Sequence, residues 1–387
     1  MLRGPPQDLA LSRPLRIGGD GLKVAVKECL GIKGIPTRCG SPVFAENPSE
    51  TENATVVDSL IAAGCAIIGT ANMHELAFGV TGINRFLGTP LNPRWPDRIP
   101  GGSSSGAASL VASASCDFAV GTDTGGSVRM PACCCGVFGM KPTFGRISRK
   151  GAVPATTSLD CIGPLAGSAE LLTRAMECMD PSFRREEPAG PFRIVNIDVR
   201  SESRIAQAFA AAMGGLTVSS SRLDGLDSAY DAGLVVINAE IADTFGEIAR
   251  HGDGMDEAVR GRILSAAEQF SQDAMDRAEQ VRAVFRREVD DVLEGFDALA
   301  LPTMPIVPPR LDQAGDMRAL LPLTALVRPF NLSGHPAITI PIRTSDGLPA
   351  GIQLVGRFQE DARLCAVAEW FVRQMAARPQ ILGDTHS

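Results

Sequence analysis

The sequence predicts an α/β fold, a mixed β-sheet core covered by helices on both faces, and three observations carry that expectation. Short apolar, β-branched runs alternate along the chain with longer stretches of helical periodicity. Forty glycines and 27 prolines in 387 residues require many turns, more than a helical bundle or coiled coil contains. Hydrophobic residues make up 44% and charged residues 21%, enough apolar side chain for a large core. The length would also fit two or three domains, but layered α/β folds often run this long as one unit. With no internal repeat, residues 1–387 are read as a single domain, with a short N-terminal extension over 1–21.

Element by element, Leu22–Lys27 reads as a buried strand ending at Lys27. A helix follows from a cap at Asn53, with Val57, Leu60 and Ile61 on one face and a stop at Gly64. Cys65–Thr70 is the next strand. From Gly101 a Gly/Ser loop leads into a helix of small residues over Ala107–Ser115, then a strand at Phe118–Gly121 and a second glycine-rich turn at Thr124–Ser127. Ser168–Met179 is helical and Asp180–Pro191 reads as a linker or surface excursion. Phe192–Ile197 is a strand and Arg204–Met213 a helix. Ala232 to Phe296 is mostly helical, its later part placing Val281, Phe285, Val289, Val292 and Phe296 on one face and a charge run over 286–291 on a solvated one. Strands at Ala298–Leu301, Ala337–Ile342 and Ile352–Val355 and a helix over Glu360–Ala376 complete the pattern.

Composition excludes several classes. A formal charge of −7 with no long basic run argues against nucleic acid as a partner. Residues 1–21 hold no signal-like apolar core, and nothing approaches 18 uninterrupted apolar residues, so neither secretion nor a membrane span is expected and a cytoplasmic location is. The ten cysteines then read as reduced thiols, and adjacent Cys133, Cys134 and Cys135 as small apolar packing residues. No Cys-x-x-Cys pair occurs and the four histidines are scattered, so no metal and no cofactor are expected.

Chemistry concentrates in two turns. Gly101-Gly102-Ser103-Ser104-Ser105-Gly106 sets three hydroxyls on a turn before a helix; alone, it reads equally as a helix cap or an anion nest. Gly121-Thr122-Asp123-Thr124-Gly125-Gly126-Ser127-Val128-Arg129 places a serine after two glycines at the end of an apolar strand. Successive N–H groups there can converge as an oxyanion hole, making Ser127 a candidate nucleophile. His74 and His335 read as structural or pocket-lining imidazoles. A lysine whose pKa burial lowers can act as base instead, and Lys27 ends an apolar strand.

Together these segments resemble the amidase signature family, whose members hydrolyse amides with a Ser–cis-Ser–Lys triad. The resemblance extends to Pro131, Gly136, Gly139-Met-Lys-Pro-Thr143, Val26-Lys27-Glu28, Pro302-Thr303, Phe330-Asn331 and Gly351-Ile-Gln-Leu-Val-Gly356, and is densest over 55–165. It implies the amidase signature fold, with Ser127 as nucleophile, Ser103 as the bridging serine after a cis peptide, and Lys27 as base. Backbone amides of Thr124, Gly125, Gly126 and Ser127 would form the oxyanion hole. Ser104 and Thr122 would lend supporting hydrogen bonds. Asp123 and Arg129 flank the turn in apolar surroundings, so they are expected to pair across it rather than at the surface.

The leading expectation is hydrolysis of a small-molecule carboxamide through a seryl acyl-enzyme; homodimerisation stays open. One alternative is the glutaminase subunit of a tRNA-dependent amidotransferase, against which stands Thr324 at the position of the acidic residue that reads glutamine's amino group. Another is a non-catalytic scaffold on the same fold. The acyl pocket is expected among loops 73–80, 154–160 and 304–330, lined by Phe78, Met304, Ile306, Leu320, Leu321 and Leu323, with polar His335 and Arg328 leaving room for a carboxylated or urea-like substrate.

Overall fold

The computed structural model describes residues 9–216, 218–315 and 317–377. In chain order its regular elements are β1 (Leu11–Gly18), β2 (Lys23–Lys27), α1 (Thr55–Ala62), β3 (Ala66–Ala71), α2 (Ser105–Ala112), β4 (Phe118–Asp123), α3 (Arg129–Cys135), β5 (Phe138–Lys141) and β6 (Cys161–Ala166). Then come α4 (Ala169–Met179), β7 (Ile194–Ile197), α5 (Ser203–Met213), β8 (Ser219–Ser221), α6 (Leu226–His251), α7 (Glu257–Glu268), α8 (Gln272–Leu293) and β9 (Ala298–Pro302). The last are α9 (Met317–Leu320), α10 (Arg328–Ser333), β10 (Ala337–Arg343), β11 (Pro349–Val355) and α11 (Asp361–Ala376).

All strands join one 11-stranded sheet in the order β1-β3-β2-β4-β6-β5-β10-β11-β9-β7-β8. It is mixed: β3, β2 and β4 run parallel, as do β9, β7 and β8, and the other pairings are antiparallel. The period-2 alternation of strand side chains explains why both faces are covered. Val24, Val26, Phe118, Val120 and Ile162 point into a core shared with α1, α4 and α11, whereas Ala25, Ala119 and Leu165 point to the opposite core beneath α2 and α3. From β2 and β4 the large residues face one layer and the alanines the other, so α2 and α3 lie close on these strands.

The structure departs from the sequence reading at defined places. Leu11–Gly18, read as an extension, is the edge strand β1, antiparallel to β3 with two register shifts that blur its alternation. β5 and β6 carry Gly139, Gly163 and Pro164, which disguise them as loop; the β5 ladder reaches only Leu165 and Ala166, which leaves Pro164 outside it. Helix α1 is capped by Ala54 without a side-chain bond; Asn53 instead accepts the Lys33 N–H at 2.8 Å and donates to Asp58. Cys133–Cys135 form the last turn of α3 and are buried there as packing residues. All ten cysteines are buried free thiols. Among the described residues no helix is long and apolar enough to cross a membrane.

Helix α2 approaches the sheet edge so closely that Gly106 has no room for a side chain. A Cβ there would meet the Ala10 carbonyl oxygen at 2.4 Å and the Asn72 backbone at 2.6 Å. Helix propensity alone would make Gly106→Ala stabilising by about 1 kcal/mol. Backbone overlap predicts the opposite sign, a loss of about 2 kcal/mol or more, read as a lower midpoint in urea unfolding.

Candidate active site

Adjacent parallel strands β2 and β4 end side by side, and the site lies at their C-terminal ends, where open α/β sheets place ligands. Lys27 is the last residue of β2 and is fully buried. Its Nζ lies 2.7 Å from Ser103 Oγ and 2.8 Å from Thr122 Oγ1. Burial is the main cause that lowers its pKa below the ordinary lysine value, partly offset by Cys29, Asp160 and Asp123.

The Gly102–Ser103 peptide is cis. Its surroundings hold it by backbone bonds: Gly102 N–H donates to Val80 O at 2.8 Å, His74 N–H to Ser103 O at 3.0 Å, and Ser104 N–H to Ser127 O at 3.2 Å. The last bond joins the two glycine-rich turns directly. Ser104 Oγ donates to Thr122 O at 3.3 Å.

The second turn is organised by Asp123. Its Oδ1 accepts from Gly126 N–H at 2.9 Å, and its Oδ2 accepts from the N–H groups of Val128 and Arg129 at 3.1 and 3.2 Å. Gly126 therefore drops out of the expected oxyanion donors, because its N–H is already committed. Among the described residues the amides of Thr124, Gly125 and Ser127 have no protein acceptor. Gly126 itself adopts φ +112°, and a Cβ there would sit 2.2 Å from Val327 Cγ2.

Arg129 is fully buried, and its five N–H donors are all used. Nε and Nη2 fork onto Asp123 at 3.0 and 2.8 Å, Nη2 also reaches Asn331 Oδ1 at 2.6 Å, and Nη1 reaches Val327 O at 2.8 Å and Gln353 Oε1 at 2.6 Å. Burial alone would raise the Asp123 pKa. The charge of Arg129 and hydrogen bonds from Arg129 and Asn331 outweigh it, holding the carboxyl well below the usual range.

Ser127 lines a cavity of about 800 Å³ together with Thr124 and Gly125; Lys27 and Ser103 are buried and do not line it. Phe78, Leu320, Leu321 and Arg328 line it as expected, but Met304, Ile306 and Leu323 do not. Those three pack with Ile99, Met130 and Cys133 in a core cluster behind the wall. His335 is also elsewhere, buried between Ser333 Oγ and Asp290 Oδ1, each 3.0 Å from its ring nitrogens. His74 does line the cavity, and burial pushes its pKa down to about 3.

Sequence reasoning missed Asp160, Asn331, Gln353, Tyr230 and Arg262 as site residues. Asp160 accepts from Thr124 Oγ1 at 2.9 Å and pairs with Arg149 at 2.7 Å. Tyr230 and Arg262 come from α6 and α7, whose sequence shows only amphipathic helix. Phe330-Asn331 and the Gln353 segment stood within resemblance motifs, the one signal pointing to them.

A mixed sheet with a buried lysine, two serine-bearing glycine turns and a cavity at its strand ends defines an amide-hydrolase class of site. A model of the Amidase family matches residues 20–207 and 187–365; the chain belongs to that family and is an amide hydrolase. The chain is 34% identical over 403 residues to a glutamyl-tRNA(Gln) amidotransferase subunit from Halobacterium salinarum, covering 90% of this chain and 94% of that relative. A crystal structure of an amidase superposes with TM-score 0.83 at 31% identity, over 92% of this chain and 84% of the other. The corresponding glutamyl-tRNA(Gln) amidotransferase subunit from Thermotoga maritima gives 0.82 at 28%, over 95% and 88%.

Arg129→Lys keeps the charge but cannot reproduce five directed bonds. It is expected to cost about 3–5 kcal/mol, the range for breaking a buried pair, measured as the shift in denaturant midpoint.

Proposed function

We propose that this protein hydrolyses a small carboxamide to a carboxylate and ammonia or an amine, through an acyl-enzyme on Ser127. Neutral Lys27 takes a proton from Ser103, Ser103 takes one from Ser127, and Ser127 Oγ attacks the carbonyl carbon. The amides of Thr124, Gly125 and Ser127 receive the developing oxyanion. The proton returns along the relay to the leaving nitrogen, the C–N bond breaks, and water then enters by the same steps to release the acid. The observation that carries this reading is the 2.7 Å contact between fully buried Lys27 and Ser103, joined through the Ser104 N–H bond to Ser127 O to the turn whose Ser127 lines the cavity. Ser104 and Thr122 orient the two serines and the lysine, and Asp123 with Arg129 holds the turn in shape.

A second reading, a glutaminase component working within a larger assembly, draws support from the relatives named as subunits of glutamyl-tRNA(Gln) amidotransferase. Against it stands Thr324, which lines the cavity and which the resemblance aligns with the carboxylate that reads the substrate ammonium. A small-molecule amide is the partner we favour, with a homodimer as a further option, and neither nucleic acid nor membrane is needed for the chemistry.

Ammonia release from a panel of aryl-acetamides, aliphatic amides, urea derivatives and glutamine tests the assignment. Turnover of one class, lost by at least about a thousandfold in Ser127→Ala, is the expected result. No turnover, with folded protein unlabelled by a fluorophosphonate, would refute it. Turnover of glutamine alone would favour the second reading.

The pH profile tests the base. The neutral amine is the active form and burial lowers its pKa, so kcat/KM rises with pH as Lys27 loses its proton. That limb is expected below the ~10.4 of an unperturbed lysine; a limb at or above it would remove Lys27 as the base.

A further inference from the structure

We infer that the cavity selects amides whose acyl part carries a carboxylate a short chain away from the scissile carbonyl, and that Arg328 binds this second group. The inference rests on the hydrolytic reading above and names its substrate class. Arg328 lines the cavity that Ser127 opens onto, yet the residue is only 8% exposed. Two of its guanidinium nitrogens, Nε and Nη1, are buried with no hydrogen-bond partner among the described residues. A buried cation with unused donors is costly unless something supplies acceptors, and a carboxylate or another planar anion matches the guanidinium fork.

The side chain is fixed in place for that task. Nη2 donates to Thr324 Oγ1 at 2.7 Å, and Cζ stacks 4.3 Å from the centroid of the Tyr230 ring. The free edge lies beside the oxyanion turn: a Cβ built on Gly125 would be 3.6 Å from Arg328 Nε. This closeness limits the spacer between scissile carbonyl and anion to a few carbons.

Among the described residues, the two carboxylates that line the cavity are engaged elsewhere. Asp256 pairs with Arg85 at 3.1 Å and caps α7 through Ala258 and Val259. Glu75 accepts from Ser41 Oγ and from Asp256 N–H. Thr324, which holds Arg328, offers a neutral hydroxyl and no carboxylate. An α-ammonium next to Arg328 would meet like charge, so the structure favours an anionic acyl chain without an amino group.

Succinamic and glutaramic acids, their neutral counterparts butyramide and valeramide, and glutamine are the probes, with ammonia release read as kcat/KM. The wild type is expected to prefer each carboxylated amide over its neutral counterpart by about a hundredfold or more, and glutaramic acid over glutamine. Arg328→Met should bring the carboxylated-to-neutral ratio towards one, the loss falling mainly in KM, and Arg328→Lys should restore part of it. Melting curves establish that each variant is folded. Equal kcat/KM for carboxylated and neutral amides in the wild type, a ratio unchanged in Arg328→Met, or a preference for glutamine would overturn the inference.

Binding reads the same contact without catalysis. Calorimetric titration of glutaramic acid into Ser127→Ala should show an affinity that Arg328→Met, added to it, weakens by about thirtyfold or more. Equal affinity, or none in either protein, would overturn the inference. Failure of the hydrolytic reading shows separately, as no ammonia from any amide in the wild type while this difference in binding persists.

Discussion

The rest of the site depends on one buried ion pair. Asp123 and Arg129 are both without exposure, 2.8 Å apart, and between them they take up the amides of Gly126, Val128 and Arg129 itself. A bare charge could not be carried into such a place, and each partner here is matched donor for acceptor. The pair also spans the chain: Val327, Asn331 and Gln353 all meet Arg129, so residues more than 190 positions downstream brace the turn that bears Ser127. The C-terminal segments and the glycine-rich turn are therefore tied together through one side chain. The N–H groups left unsatisfied there are the ones that face the cavity.

A second constraint works on Lys27 through the sheet. Parallel pairing of β2 with β4 sets Lys27 beside the end of the strand that carries Thr122, and α2 brings Ser103 over both. Desolvation favours the neutral amine, while two hydroxyl partners keep its nitrogen from being orphaned. Gly106 is part of the same arrangement, because only a helix that lies directly on the sheet edge can hold the preceding turn at hydrogen-bond distance from a strand end.

What was legible in the sequence follows from how local the causes are. The two glycine-rich turns, the strand ending at Lys27 and the Asp123–Arg129 pairing are written within short stretches whose spacing carries the chemistry. β5, β6 and β1 were not legible, since their glycines, Pro164 and register shifts are tolerated by partners distant in sequence. The cavity wall was half legible for the same reason. Leu320 and Leu321 face in, while Leu323 turns into the core with Met304 and Ile306, and a run of apolar residues does not say which way each one points. Tyr230 and Arg262 left no trace beyond helical periodicity, because their role arises only where α6 and α7 cross the mouth of the sheet.

This division between near and far separates the braced turns from the cavity wall. Lys27 sits on a strand end and Ser103 and Ser127 on the turns that lead into α2 and α3, whereas the walls come from α6, α7 and the segment leading into α10. The two meet at the dipeptide Val327-Arg328. The Val327 carbonyl accepts from Arg129 and its side chain closes over Gly126, so it belongs to the braced turn. Arg328, one residue on, turns into the cavity beside Gly125. A residue so placed inherits the rigidity of the buried pair without being part of it. Its replacement would alter the charge facing the cavity while leaving Asp123, Arg129 and their shared bonds in place.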